Sequence, residues 1–199
     1  MEHSVLIIGS MYSGKSEELK RLIKRSEIAG KKCQTFKLSM DNRYSNNEIL
    51  THDNAKILNF IDNIEVKKII AKSLGTQAIN VNDSKELLSL VDVDTEVVGI
   101  DEIQFFDDNI INVIEELNKR NIRVIMSGLD MYANGDIFPI TSILACKCKY
   151  VQKLHAVCIH CGGEAMYSHR LQDTNNLATV DIGSEGKYIA ICEKCRNKM

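Results

Sequence analysis

Eight residues near the start of the chain, Gly9-Ser10-Met11-Tyr12-Ser13-Gly14-Lys15-Ser16, constrain its fold more than any other stretch. They fit the pattern G-x-x-x-x-G-K-[ST], which works only between a strand and a helix. Ser4 to Ile8 reads as a short apolar strand. Glu17 to Ala29 reads as a helix with Leu19, Leu22, Ile23 and Ile28 among charges, and Gly30 is a natural stop. In that setting the backbone N–H groups of Gly9, Ser10, Met11, Tyr12, Ser13 and Gly14 can turn toward phosphate oxygens. Lys15 reaches the β- and γ-phosphates, and the Ser16 hydroxyl can hold Mg²⁺. A Gly/Ser-rich turn arising by chance is the competing reading. The motif implies binding of a nucleoside triphosphate.

At 199 residues and a net charge of −2, the chain suits one α/β domain with a small appendage. A near-neutral balance gives no footprint for nucleic acid or a membrane surface, and pairs such as Lys24-Arg25 and Lys67-Lys68 read as solvated faces. No apolar run approaches a membrane span, and the expected location is the cytoplasm. There, seven cysteines indicate metal ligation or free thiols rather than a disulfide frame.

Strand and helix signals alternate through the first three-quarters of the sequence, predicting a parallel sheet with crossover helices. Strands are expected at Cys33 to Leu38, Glu96 to Ile100 and Arg123 to Leu129. Helices are expected at Ser84 to Val91, capped by Asp83 or Ser84, and at Asn109 to Lys119. Ser39 to Asn54 is polar and reads as a loop, and Pro139 as a loop or helix start. Around Tyr150 helical periodicity gives way to closely spaced cysteines. The expected division is therefore 1–150, a nucleotide-binding domain, and 151–199, a metal-binding domain.

Two sets of residues carry the chemistry beyond the phosphate loop. Asp101, at the end of an apolar strand, is a candidate second anchor for Mg²⁺. Glu102 is a candidate to orient or deprotonate an attacking hydroxyl; with an ordinary pKa of about 4.3 it would mainly hold the hydroxyl in line and take its proton late. Both acids could instead cap the following turn. Cys158-x-x-Cys161 and Cys192-x-x-Cys195, thirty residues apart, supply four thiolates for a closed tetrahedral structural Zn²⁺ site. Zinc would then pin the base of a long loop. His160 reads as a bystander; Cys146-x-Cys148 could compete as ligands, but Cys33, Cys146 and Cys148 read more simply as buried or free thiols.

This combination resembles the thymidine kinases of animal cytosol, many bacteria and large DNA viruses. The resemblance rests on Gly9-x-Met11-x-Ser13-Gly14-Lys15-Ser16-x-Glu18-Leu19, Asp41-Asn42-Arg43-Tyr44, Thr51-His52-Asp53 and Gly99-Ile100-Asp101-Glu102-x-Gln104-Phe105-Phe106. It continues through Gly128-Leu129-Asp130, Lys153-Leu154-x-Ala156-Val157-Cys158-x-x-Cys161, Arg170-Leu171 and Tyr188, four residues before Cys192. It implies a RecA-like P-loop NTPase sheet flanked by helices, plus a small C-terminal zinc-ribbon domain whose loop covers the nucleoside as a lasso. It also implies ATP-dependent phosphorylation of the deoxythymidine 5′-hydroxyl in nucleotide salvage, with structural Zn²⁺, Mg²⁺ accompanying ATP, and a homotetramer. By the same resemblance Glu102 is the catalytic carboxylate, Ser16 and Asp101 serve Mg²⁺, and Arg43 lies near the transferring phosphate. Met11, Phe105, Leu129, Ser168 and Tyr188 line the thymine pocket, much of whose readout comes from backbone groups.

The chain departs from that pattern at Ser10, where the family usually has proline, and at Ile103, where it has glycine. Ala133 replaces an aromatic near the base, and Ile137-Phe138 replaces Pro-Phe. These changes bear on pocket shape and nucleoside selectivity. From composition alone Met11, Leu129, Phe105 and Phe106 also read as ordinary core. An ATP-driven motor with a nucleic-acid-binding zinc ribbon is an alternative from a different class, weakened by the missing basic-aromatic surface. A GTPase is weaker still, for want of an N-K-x-D segment.

Overall fold

The computed structural model describes residues 1, 3–39, 48–49, 76–171 and 187–199. Its centre is a six-stranded parallel sheet built from β1 (Val5–Gly9), β2 (Cys33–Leu38), β5 (Ile79–Val81), β6 (Val97–Ile100), β7 (Arg123–Gly128) and β8 (Tyr150–Leu154). The order across the sheet is β5-β2-β6-β7-β1-β8. A separate two-stranded ribbon pairs β3 (Glu48–Ile49) with β4 (Thr76–Gln77). Strand β7 thus lies between the phosphate-loop strand β1 and the strand β6 that leads to Asp101. The register sets Ile8 beside Gly128, and Ile100 beside Met126.

Pleating sorts the apolar strand residues onto two faces. Leu6, Ile8, Val98, Ile100, Val124 and Met126 join α2 (Ser84–Leu90), α3 (Ile110–Lys119) and α4 (Pro139–Lys147) through Leu87, Ile110, Ile114, Leu117 and Leu144. Val5, Ile7, Val97 and Ile125 face the other way, onto Leu19 and Ile23 of α1 (Lys15–Ile28). The central strands β1, β6 and β7 are largely apolar on both faces because helices cover both faces. The helices begin and end for local reasons. Asp83 accepts the Glu86 N–H at 2.8 Å to cap α2, and Pro139 opens α4 where its missing donor costs nothing. Gly30, at φ +78°, follows α1.

Beyond the sheet, β9 (Ala156–Val157) pairs with β10 (Glu164–Ala165), and β11 (Tyr167–Arg170) pairs with β12 (Tyr188–Ile191), which leads into α5 (Glu193–Arg196). A small core of Ala156, Cys158, Ala165, Ala190 and Ile191 holds these pieces together. The expected division at 150/151 falls on the first residue of β8, and the main sheet runs on to Leu154. The segment between the cysteine pairs, expected as loop throughout, contains β10, β11 and β12. No helix among the described residues is long and apolar enough to cross a membrane.

Candidate active site and cysteine cluster

The phosphate loop occupies the carboxyl edge of the sheet. Gly14 adopts a left-handed conformation (φ +83°), and α1 starts without a side-chain cap, so its first-turn N–H groups are presented to an incoming anion. Lys15 folds back, with Nζ donating to the Ser10 carbonyl at 2.6 Å. Ser13 Oγ donates to the same carbonyl at 2.8 Å. Gly9 is required by close approach: a Cβ there would stand 2.2 Å from the Leu154 carbonyl oxygen.

Across β7 from the loop lies the acidic pair. Asp101 is buried and stands 3.4 Å from the Ser16 hydroxyl. Ser127, on the intervening strand, donates its hydroxyl to Asp101 Oδ1, and the Glu102 N–H reaches the same oxygen at 3.1 Å. Glu102 sits at φ +52°, ψ +45°, a conformation that costs a side-chain-bearing residue of order 1–2 kcal/mol. Buried Gln104 connects this carboxylate to the next strand: Nε2 donates to Glu102 Oε2 at 2.5 Å, and Oε1 accepts the Leu129 N–H at 3.0 Å. Gly128 leaves room for this bridge, since a Cβ would lie 2.6 Å from Gln104 Oε1. Lys153 on β8 pairs with buried Asp130 at 3.0 Å.

The expected base-lining residues fall into two groups. Leu129 and Phe105 are half-buried on either side of the Gln104 bridge. Phe105 meets Phe138 edge to face at 6.1 Å, and Phe138 stacks on Tyr132 at 3.7 Å. The second group joins the phosphate loop to the C-terminal module. Met11 N–H donates to Ser168 Oγ at 2.8 Å, and Tyr12 Oη donates to the Tyr188 carbonyl at 3.2 Å. Ser10 Oγ donates to the Ala165 carbonyl at 3.2 Å, a bond that a proline could not make. Ile103 is fully buried in the main core, and Ile137 is exposed while bridging Met131. Arg43, with Asp41-Asn42-Arg43-Tyr44 and Thr51-His52-Asp53, lies outside the described residues, as does the stretch 172–186.

The sulfurs of Cys158, Cys161, Cys192 and Cys195 lie within 4.8 Å of one another, with Cys161 and Cys192 at 3.6 Å. Four thiolates about 2.3 Å from a tetrahedral Zn²⁺ stand about 3.8 Å apart, so the set fits a closed four-sulfur site. Backbone N–H donation at Cys192, opposed by burial, brings Cys158 down to about 6, whereas the Cys192 side chain and burial push Cys195 up to about 12. Four adjacent thiolates need a positive charge between them.

Sequence reasoning assigned no role to Ser127 or Gln104. A serine directly after the buried run Val124-Ile125-Met126 and a glutamine beside two phenylalanines were the available signals. Arg196 carried no signal at all.

The thymidine kinase family model matches residues 3–196. A thymidine kinase of Bacteroides thetaiotaomicron is 36% identical over 190 residues, covering 96% of this chain and 84% of that protein. Among solved structures, the genome-packaging NTPase B204 of Sulfolobus turreted icosahedral virus 2 is 16% identical, with a TM-score of 0.38 over 70% of this chain and 69% of that one. The Pif1 helicase of Candida albicans is 19% identical, with a TM-score of 0.40 over 76% of this chain and 36% of that one. Those two likenesses are too shallow to bear on chemistry. The family match over nearly the whole length, together with the bacterial relative, leads to one conclusion: the chain belongs to the thymidine kinase family.

Proposed function

We propose that this enzyme transfers the γ-phosphoryl group of ATP to the 5′-hydroxyl of deoxythymidine, forming dTMP for nucleotide salvage and DNA synthesis. One observation carries the reading: the phosphate-loop Ser16 hydroxyl and the buried Asp101 carboxylate lie 3.4 Å apart, with Glu102 next in the chain. A hydroxyl–carboxylate pair suited to Mg²⁺ and a carboxylate held by Gln104 at 2.5 Å thus share one edge of the sheet, which supports the reading.

In this mechanism the backbone donors of Gly9, Ser10, Met11, Tyr12, Ser13 and Gly14 cradle the triphosphate. Lys15 exchanges the Ser10 carbonyl for phosphate oxygens, and Arg43 approaches the transferring group. Ser16 and Asp101 would hold the Mg²⁺ that accompanies ATP, which supplies neutralisation of phosphate charge. Glu102 holds the 5′-hydroxyl in line and takes its proton as the O–P bond forms. Gln104 fixes the carboxylate, and the tie from Ser127 fixes Asp101. Met11, Phe105, Leu129, Ser168 and Tyr188 enclose the thymine. Residues 1–150 act as the kinase domain, and 151–199 as a zinc-binding domain with a nucleoside-covering lasso. Cys158, Cys161, Cys192 and Cys195 would hold structural Zn²⁺, which cross-links the base of that lasso. The enzyme works in the cytoplasm as a homotetramer, with no nucleic-acid or membrane partner.

Glu102→Gln tests the central assignment. ATP affinity is expected to stay within about twofold while kcat falls by about 10²–10⁴, the usual range for loss of a positioned acid–base group. Near-normal kcat would remove Glu102 from the chemistry. Assaying phosphate transfer across a panel of nucleosides tests the acceptor, and ATP consumption that ignores deoxythymidine would overturn it.

A further inference from the structure

One side chain fastens the loop after β7 to the cysteine module. Half-buried Arg196, the last residue of α5, donates from Nη2 to the carbonyls of Asn134 at 2.7 Å and Ala133 at 3.4 Å. Its guanidinium carbon lies 4.3 Å from the centre of the Tyr167 ring. Gly135, at φ +98°, brings the loop close: a Cβ there would stand 3.1 Å from Arg196 Nη1. A planar, charged fork that both donates to carbonyls and lies over an aromatic face is a job for arginine, and lysine does it less well.

The loop that it grips is itself ordered. The Tyr132 N–H donates to the Asp136 carbonyl at 2.8 Å, and the Gly135 N–H to the Tyr132 carbonyl at 3.0 Å. Its ends meet at the bridge between Met131 and Ile137. Tyr132 then continues inward through its stack on Phe138 to Phe105, next to the Gln104 that holds Glu102. At the other end, Arg196 follows directly on Cys195 of the four-sulfur cluster.

We infer that Arg196 is a positioning residue for the nucleoside pocket, locking the 131–137 loop and its aromatic wall to the metal-binding cysteine module. The inference rests on the proposal that Phe105 lines the pocket. It does not place Arg196 against the reacting atoms.

Arg196→Ala and Arg196→Lys in the full-length, zinc-loaded protein test it. Hydrogen exchange at the Tyr132 and Gly135 amides is read without ligand, and KM for each substrate, kcat and zinc content are read alongside. In Arg196→Ala, exchange at both amides and KM for deoxythymidine are each expected to rise about tenfold, the scale of one charge-assisted bond. ATP KM and kcat should stay within about twofold with zinc content unchanged, and Arg196→Lys should fall between. Unchanged exchange would overturn the latch. Faster exchange with an unchanged deoxythymidine KM would overturn its role in positioning, and so would zinc loss or general loss of amide protection in both variants. If the parent protein failed to phosphorylate deoxythymidine, the pocket reading would fall, while the exchange data would still judge the latch.

Discussion

Gln104 couples two strands through one amide. Because its Nε2 serves Glu102 and its Oε1 takes the Leu129 N–H, the orientation of the amide is fixed by its partners. Gln104→Glu keeps the shape and replaces the donor with a second carboxylate 2.5 Å from the first. Like charges at that range raise the pKa of the pair, so the acidic limb of the kcat–pH profile should move to higher pH. An unshifted limb, measured between pH 5 and 9, would mean that Glu102 does not control it. The site residues differ in how readily sequence discloses them. Lys15, Ser16 and Asp101 stand out as candidates because phosphate and Mg²⁺ sites use those side chains at those spacings. Gln104 bonds Leu129, Ser127 bonds Asp101 and Arg196 bonds Asn134, all partners at least 25 residues away, which periodicity and motif spacing do not encode.

At the scale of elements, α2 is tied down from outside. Asp107 accepts the Ser84 N–H at 2.8 Å and the Ser84 hydroxyl at 2.7 Å, and Asn109 N–H adds a third bond at 3.1 Å. Partial burial pushes the Asp107 carboxyl up, but these donors outweigh it and hold it below its ordinary value. A lowered folded-state pKa means that the stabilisation is complete above the unfolded value of about 3.9 and disappears as pH falls through the folded one. Urea titrations of Asp107→Asn against the parent should therefore differ at pH 7, and the difference should shrink as pH falls below about 3.9. Solvent exposure keeps the difference modest, and a gap that persisted unchanged into acid would contradict the assignment. Most elements were readable from pattern: β1, β2, β6, β7, α1 and α3 carry apolar runs of the right period and clear stops. Strand β8 was not, because it is an edge strand with four exposed residues of five, so no buried run marks it. Strands β9 to β11 are too short to show alternation among their turn residues.

For the whole molecule, the cysteine module touches both the phosphate loop and the loop after β7. It meets the phosphate loop through Ala165, Ser168 and Tyr188, and the 131–137 loop through Arg196. With the proposed Zn²⁺ bound, removing it should unfold the small core around Cys158 and Ala165, since binding energy of this kind is folding energy. Deoxythymidine binding, followed by calorimetry before and after chelation, is expected to weaken at least about tenfold. ATP should lose less, because Lys15 and Ser16 stay rooted in α1. Equal losses, or none, would separate the module from the acceptor side.

Ser10, Met11 and Tyr12 each grip a different strand of that module, β10, β11 and β12 in turn. In the proposed reaction the donor's cradle is thus a seam stitched to the acceptor's cover. On the proposed reaction, any affinity that one guest gains by tightening the seam would by reciprocity be returned to the other.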